Sequence, residues 1–397
     1  MNAPKRWLKE RTSHRLIRGK SFVLVVASIL TLSATTSLAD SLFEAHLAPF
    51  MGKPKMEIQQ VFTGSRMPNI VVTTKGTVLV TWGTSSVVAR RSEDGGTTWG
   101  PEITIAKPGF QGGGTTVDET SGDILAFVED KHPPAPLTVY RSKDDGKTWN
   151  VQKTTIEPDS KGNMPAMHMN EHGITLRHGK HRGRLIRPSR YYGKRNHRDE
   201  WPTHYTNAIY SDDGGKTWKT SDPFPENGTG EATIAELSDG TLYYNSRVHW
   251  QERPKNTRRR HARSTDGGHT WTDFRIVDIL PDGHQHRSYG CMGGLTRLPV
   301  EGRDILVFSN IDTDNAKREN GTVWASFDGG KTWPVKRLVN PGSSAYSSLT
   351  SGRPGTPSEG WIYLHCESKG SKVARFNLSW ILGGKSTGDG AIPEWVK

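Results

Sequence analysis

Apolar residues along this chain come in short runs that end in glycine-rich, proline-rich or acidic turns. "NIVVTTKGTVLVTW" is two such runs joined at Lys75-Gly76, the pattern of a β-hairpin. The theme returns in "TTVDETSGDILAFVE", "GITLRHGKHRGRLIRPSR", "TIAELSDGTLYYNSR", "GLTRLPVEGRDILVFSN" and "SSLTSGRPGTPSEGWIYLHCE", which makes six hairpins. Five further strand-like runs, "SVVARRS", "LTVYRS", "TNAIYS", "RRRHARS" and "GTVWAS", each lead into one repeated stretch, Ser-x-Asp-x-Gly-x-Thr-Trp. The Asp and Gly residues of that stretch ask for a tight turn: Asp caps backbone amides and Gly supplies positive φ. The Trp that follows is suited to packing beneath the sheet. Asp94, Asp144, Asp213, Asp266 and Asp328 therefore read as turn-builders, not as catalysts. A calcium loop of the EF-hand type does not fit, because the downstream Glu and the alternation of ligands are absent.

The tryptophans of the five copies stand at 99, 149, 218, 271 and 333, at intervals of 50, 69, 53 and 62 residues. An irregular period of this size marks one structural unit with variable loops, as in a propeller. Six hairpins with five boxes match a closed ring whose first and last strands share a blade. The expectation is an all-β chain: a six-bladed β-propeller of four-stranded antiparallel blades, in a single domain. Composition agrees, with 43 Gly, 23 Pro and 13 Trp and only 33% hydrophobic residues.

The first 39 residues differ from the rest. Seven basic residues precede the apolar "FVLVVASILTLSATTSLA", and Ser37-Leu38-Ala39 ends it as a cleavage site would. This predicts a signal peptide over 1–39, an exported (periplasmic or secreted) propeller over 40–397, and no membrane span after cleavage. The net charge of +12 is then halved, leaving 46 basic and 40 acidic residues. So mild an excess favours anionic substrates and does not indicate nucleic acid. Cys291 and Cys366 are the only cysteines; in an oxidising compartment they either pair or stay as two buried thiols. No His or Cys spacing suggests a metal site, and no cofactor is implied.

The repeated stretches resemble the Asp boxes of the sialidase superfamily, and a second set of segments strengthens the resemblance. "SRMPNI" resembles the family's Arg-Ile-Pro motif, which implies Arg66 as the first arginine of a carboxylate-binding triad. "GEATIAELSDGTLYYNSRVH" resembles the segment of the activating glutamate and second arginine, implying Glu231 and Arg247. "GCMGGLTRLP" through "ENGTVWASFDGG" implies Arg318 as the third arginine, "SSAYSSL" implies Tyr346 as the catalytic tyrosine, and "IYLHCESKG" implies Glu367 as the residue orienting Arg66. The chemistry is coherent. Three guanidiniums suit the carboxylate on the anomeric carbon of sialic acid. A neutral tyrosine avoids setting a carboxylate nucleophile against that charge. Its ordinary pKa of about 10 then calls for a base beside it, the role implied for Glu231. The resemblance thus implies an exo-acting, retaining hydrolase of terminal acidic sugars in glycans or glycoconjugates.

One part of the family pattern is missing. The loop after the second strand of the first blade, where the family places an aspartate acid/base, is reduced to Gly83, Thr84, Ser85 and Ser86. Other loops of the same face offer substitutes: "VEDKHPPAP" with Glu129, Asp130 and His132, the insert around Tyr191, Tyr192, His197 and Asp199, and "MPAMHMNEHG" with His168 and His172. Asp130 and His168 are kept as the candidate acid/base. Two other functions remain open. A propeller lyase acting on uronates would use an arginine and a His or Tyr base, with His168, His172, Arg190, Tyr191 and Tyr192 as suitable types. A non-catalytic propeller would bind acidic glycans only.

Overall fold

The computed structural model describes residues 43–250, 257–283 and 290–396. The expected leader, 1–39, lies outside the described residues. Six antiparallel sheets follow one another along the chain, with innermost strands at Asn69–Val72, Phe110–Val117, Ile174–Thr175, Thr229–Glu236, Gly294–Arg297 and Ser347–Ser351. They are the blades of a six-bladed β-propeller. The ring closes as the box count requires. Met56–Phe62 pairs with Ser371–Phe376 and becomes the outer strand of the sixth blade. The sixth blade therefore has no turn from third to fourth strand, and so no place for a box. Two blades exceed four strands: Thr155–Ile156 adds in parallel to the third and Lys385–Ser386 to the fifth.

The boxes are turns. In the first, the Ser92 hydroxyl donates to Asp94 Oδ1 at 2.7 Å and accepts from the Gly96 amide at 2.8 Å. The same carboxylate accepts from the amides of Thr97 and Thr98 at 3.0 and 2.9 Å. Gly96 has φ +86°, where a side chain would be strained. Asp144, Asp213, Asp266 and Asp328 repeat the arrangement. The indoles of Trp218 and Trp333 are fully buried between blades. Burying about 200 Å² of apolar surface per indole corresponds to about 5 kcal/mol of transfer free energy.

Topology decides which loops meet. In every blade the start of the innermost strand and the loop from second to third strand lie on one face; the box turn lies on the other. Residues preceding an innermost strand, or ending a second strand, thus converge at one mouth of the central channel. Arg66 and Tyr346 precede innermost strands, Glu231 lies near the start of one, Arg247 and Glu367 end second strands, and Arg318 lies in a loop from second to third strand.

Candidate active site

Glu231 reaches the channel through a β-bulge. The pairing of Thr229–Glu236 with Leu242–Val248 slips between Thr229 and Ala232, and this irregularity re-aims the side chain. On the partner strand, Arg247 Nη1 donates both to Glu231 Oε2 and, at 3.0 Å, to the Tyr346 hydroxyl. The Tyr346 hydroxyl donates to Glu231 Oε1 at 3.2 Å. Glu231, Arg247 and Tyr346 are all buried. This closed triangle joins the fourth and sixth blades across the channel.

The other two arginines flank the same ring. The guanidinium carbon of Arg66 lies 5.1 Å from the Tyr346 ring centroid, that of Arg318 5.0 Å, and that of Arg247 5.9 Å. Arg66 is pinned by Glu367, whose Oε2 accepts from Nη2 at 2.9 Å and Nε at 3.3 Å. Glu367 Oε1 also accepts from the Met67 amide at 3.1 Å. That bond helps to hold a strained loop, since Ser65 and Met67 have φ of 52° and 80°. Half-buried Arg318 meets no carboxylate among the described residues. Its carbonyl accepts from the Ser344 amide at 3.1 Å, and the Ala345 amide donates to the Glu367 carbonyl at 3.0 Å, so backbone bonds tie the fifth and sixth blades here. A cleft of about 470 Å³ opens between Arg66, Arg318 and the serines 343 and 344.

The electrostatics favour an anion. Burial works against the charge of Arg247, but Glu231 and the neighbouring phenol outweigh it and raise its pKa. Arg66 is likewise raised despite burial, through Glu367. Burial pushes the Tyr346 phenol up, with Arg247 opposing, so the resting side chain is neutral at ordinary pH. Cys291, whose place at the site the sequence did not signal, lies in an apolar cluster with Met67 and Tyr346; burial raises its thiol pKa to about 11. Cys366 belongs to another cluster, and both thiols are free.

The remaining candidates are spread more widely. Asp130 stands exposed on its loop, its amide bonded to the Pro136 carbonyl. His168 is buried, with Nδ1 3.3 Å from the Gln111 carbonyl, and its amide donates to Glu129 Oε1. Burial lowers its pKa well below the ordinary imidazole value. Of the residues suited to a lyase, Arg190 donates to the Tyr192 hydroxyl at 3.1 Å and Tyr192 lies near His168. His172 is instead bound to Glu171, and Tyr191 packs on Tyr205. Among the described residues no cluster of three or more His, Cys, Asp or Glu could hold a metal ion, and no helix is long and apolar enough to cross a membrane.

A six-bladed propeller with Asp-box turns and an arginine-lined mouth defines a class, and comparison with known proteins assigns the family. Residues 138–358, more than half of the chain, match the model of the BNR repeat-like domain. The chain belongs to this family, within the sialidase superfamily. It is 31% identical to a sialidase of Micromonospora viridifaciens, over 92% of this chain and 60% of that one. It is 29% identical to a sialidase of Bacteroides fragilis, over 72% and 57%. The chain thus spans about three-fifths of the length of these relatives. A Hadza microbial sialidase superposes with a TM-score of 0.62 at 25% identity, covering 80% of this chain and 66% of that one. The intramolecular trans-sialidase of Ruminococcus gnavus superposes with a TM-score of 0.59 at 16% identity, over 88% and 99%, a likeness of fold alone.

Proposed function

We propose that this protein is an exported exo-glycoside hydrolase that removes terminal sialic acid, or a closely related acidic sugar, from glycoconjugates with retention. The observation that carries the reading is the hydrogen-bonded triangle of Tyr346, Glu231 and Arg247, ringed by two further arginines. Arg66, Arg247 and Arg318 clamp the substrate carboxylate through charge-assisted bonds. The clamp sets the anomeric carbon over the Tyr346 hydroxyl. As that oxygen attacks, its proton passes to Glu231 Oε1, already its acceptor at 3.2 Å. The phenol thus becomes nucleophilic only while the bond forms. Glu367 keeps Arg66 in register. Export rests on the leader and belongs to the same proposal.

The test is release of 4-methylumbelliferone from its α-sialoside, with Tyr346→Phe alongside. Removing a nucleophile should lower kcat by at least about three orders of magnitude with the fold unchanged by circular dichroism. Equal turnover by the variant would remove Tyr346 from the mechanism. Saturable binding of sialosides without product would leave a binding propeller, and an unsaturated product absorbing in the near ultraviolet would reveal a lyase.

A further inference from the structure

Hydrolysis of an unactivated glycoside needs a proton for the departing oxygen. Glu231 is engaged by Arg247 and Tyr346, and Glu367 by Arg66 and the Met67 amide. Glu129 is buried beneath the mouth and binds the amides of Met167 and His168. In the third-blade insert, Asp199 and Glu200 are held by Arg195. Asp130 stands exposed on its loop, whereas the imidazole of His132, two residues on, packs against the Phe110 ring beside the Tyr346 cluster. We propose that His132 is the acid/base of this site, giving a proton from Nε2 to the leaving oxygen; the inference rests on the hydrolase reading above.

Position comes first. His132 lies on the exposed loop between the second and third strands of the second blade. The neighbouring loop of the first blade is cut to Gly83–Ser86, turned by Gly83 at φ +140°. Phe110 rests against this short loop, because its neighbours Gly109 and Gln111 donate to the carbonyls of Ser85 and Gly83. The Phe110 ring packs on the cluster containing Tyr346 and meets His132 edge-on at 5.7 Å. His168 and Tyr192 complete the wall behind it, at 4.5 and 5.7 Å. Through Phe110 the second-blade imidazole thus stands next to the cluster that holds Tyr346.

Orientation comes second. His132 Nδ1 lies 3.1 Å from the Pro133 carbonyl oxygen and 3.0 Å from Asn196 Nδ2, which also donates to that carbonyl at 3.1 Å; in the protonated ring Nδ1 is a donor, and the carbonyl is its acceptor. Nε2 is left to exchange the proton at the mouth. In the first step the Tyr346 oxygen bonds to the anomeric carbon, and the glycosidic bond breaks. The Tyr346 proton goes to Glu231, and the His132 Nε2 proton goes to the leaving alcohol. In the second step water attacks the anomeric carbon and yields a proton to Nε2, the bond from that carbon to the Tyr346 oxygen breaks, and Glu231 returns its proton to the Tyr346 oxygen.

The charged groups facing His132 are Arg190 and Glu231, its ring neighbours are Phe110, His168 and Tyr192, and Asn196 Nδ2 is 3.0 Å from Nδ1. Desolvation of the ring, with Arg190 adding, holds its pKa below the ordinary value, against the Pro133 bond and the pull of Glu231. The acid form is therefore lost as pH rises through a value below 6.5.

The experiment compares kcat/KM for 3′-sialyllactose and for the aryl α-sialoside in the wild type, His132→Gln and His132→Ala, with Asp130→Asn as a control in the same loop. The expected result is a fall of about 10²–10⁴ for sialyllactose and a far smaller fall for the aryl substrate, whose leaving group needs little protonation. The alkaline decline of the sialyllactose profile should vanish in His132→Gln. Equal loss on both substrates, no loss on either, or the same split in Asp130→Asn alone would overturn the assignment. A wild type that cleaves neither sialoside would overturn the hydrolase reading, and this inference with it.

Discussion

Among the described residues, a set of three arginines stands at each mouth of the central channel, and the two sets are held differently. At the mouth opposite the site, Arg177 pairs with Glu119 through two bonds of 2.9 and 2.8 Å, Arg353 binds the same carboxylate, and Arg297 binds Glu44 and Asp304. Glu236 accepts the amides of Arg177 and His178 there. Cation and carboxylate are matched. At the site mouth, among the described residues, Glu231 bonds Arg247 and Glu367 bonds Arg66, while Arg318 has the Tyr346 ring where its counterparts have carboxylates. Arg247 acts against the charge of Arg318, and Arg318 against that of Arg66. One end matches its cations with carboxylates; the other leaves Arg318 against a ring among the described residues.

The largest effect should come from breaking the unmatched end. Arg318→Ala should lower kcat/KM for the aryl sialoside by about 10²–10³, the usual loss for one preorganised donor. Because no carboxylate is orphaned, thermal stability should change by less than about 0.5 kcal/mol, as for most substitutions outside such networks. A large stability loss would show that Arg318 is structural after all. Sialic acid should raise the melting temperature of the wild type more than that of the variant, by mass action on the folded state.

Much of this contrast was readable from the chain, and the rest was hidden for definable reasons. The box turns are local: Asp94, Gly96 and Trp99 write their conformation within eight residues, so five copies disclosed blade number and closure. The triad of arginines was legible only through family resemblance, because no local pattern shows that Arg66 and Glu367, 301 positions apart, share a bond. Cys291 gave no signal of a place at the site, since its position beside Tyr346 depends on how segments of the first, third, fifth and sixth blades meet. His132 was one candidate among several, because the contacts that single it out involve Phe110, Tyr192 and Pro133 together. The two added strands were invisible: Thr155–Ile156 and Lys385–Ser386 are two residues each and pair far along the chain.

At the matched mouth the expectation inverts. Arg177→Met should cost about 1.5–3 kcal/mol of folding stability, the value of hydrogen bonds to a charged group, while activity per folded molecule is kept. The loss is bounded because Arg353 still holds Glu119. Chemical denaturation combined with an active-site titration separates the two quantities. Lost activity in the folded fraction would mean that the two ends are coupled and that the division drawn above is wrong.

The smallest effect should be the most informative about charge. Burial opposes ionisation of Glu44, yet hydrogen bonds from His178 and Arg297 pull its carboxyl down from 4.5 to about 2. A depressed carboxylate contributes stability that is present above its unfolded value and lost as pH falls through the folded one. His178 is raised above 6.5, first through its bond to Glu44, so its contribution is complete below 6.5 and fades as pH climbs through the raised value. Together they give a window. Glu44→Gln should destabilise by about 1 kcal/mol between about pH 4.5 and 6.5, and the two proteins should converge as pH falls towards about 2. Above 6.5 the gap should narrow by the His178 share alone, leaving the share due to Arg297, which stays charged. Melting temperatures across this range would show it. A gap independent of pH would mean that Glu44 acts by shape, and that pairing of charge is not what closes this end of the channel.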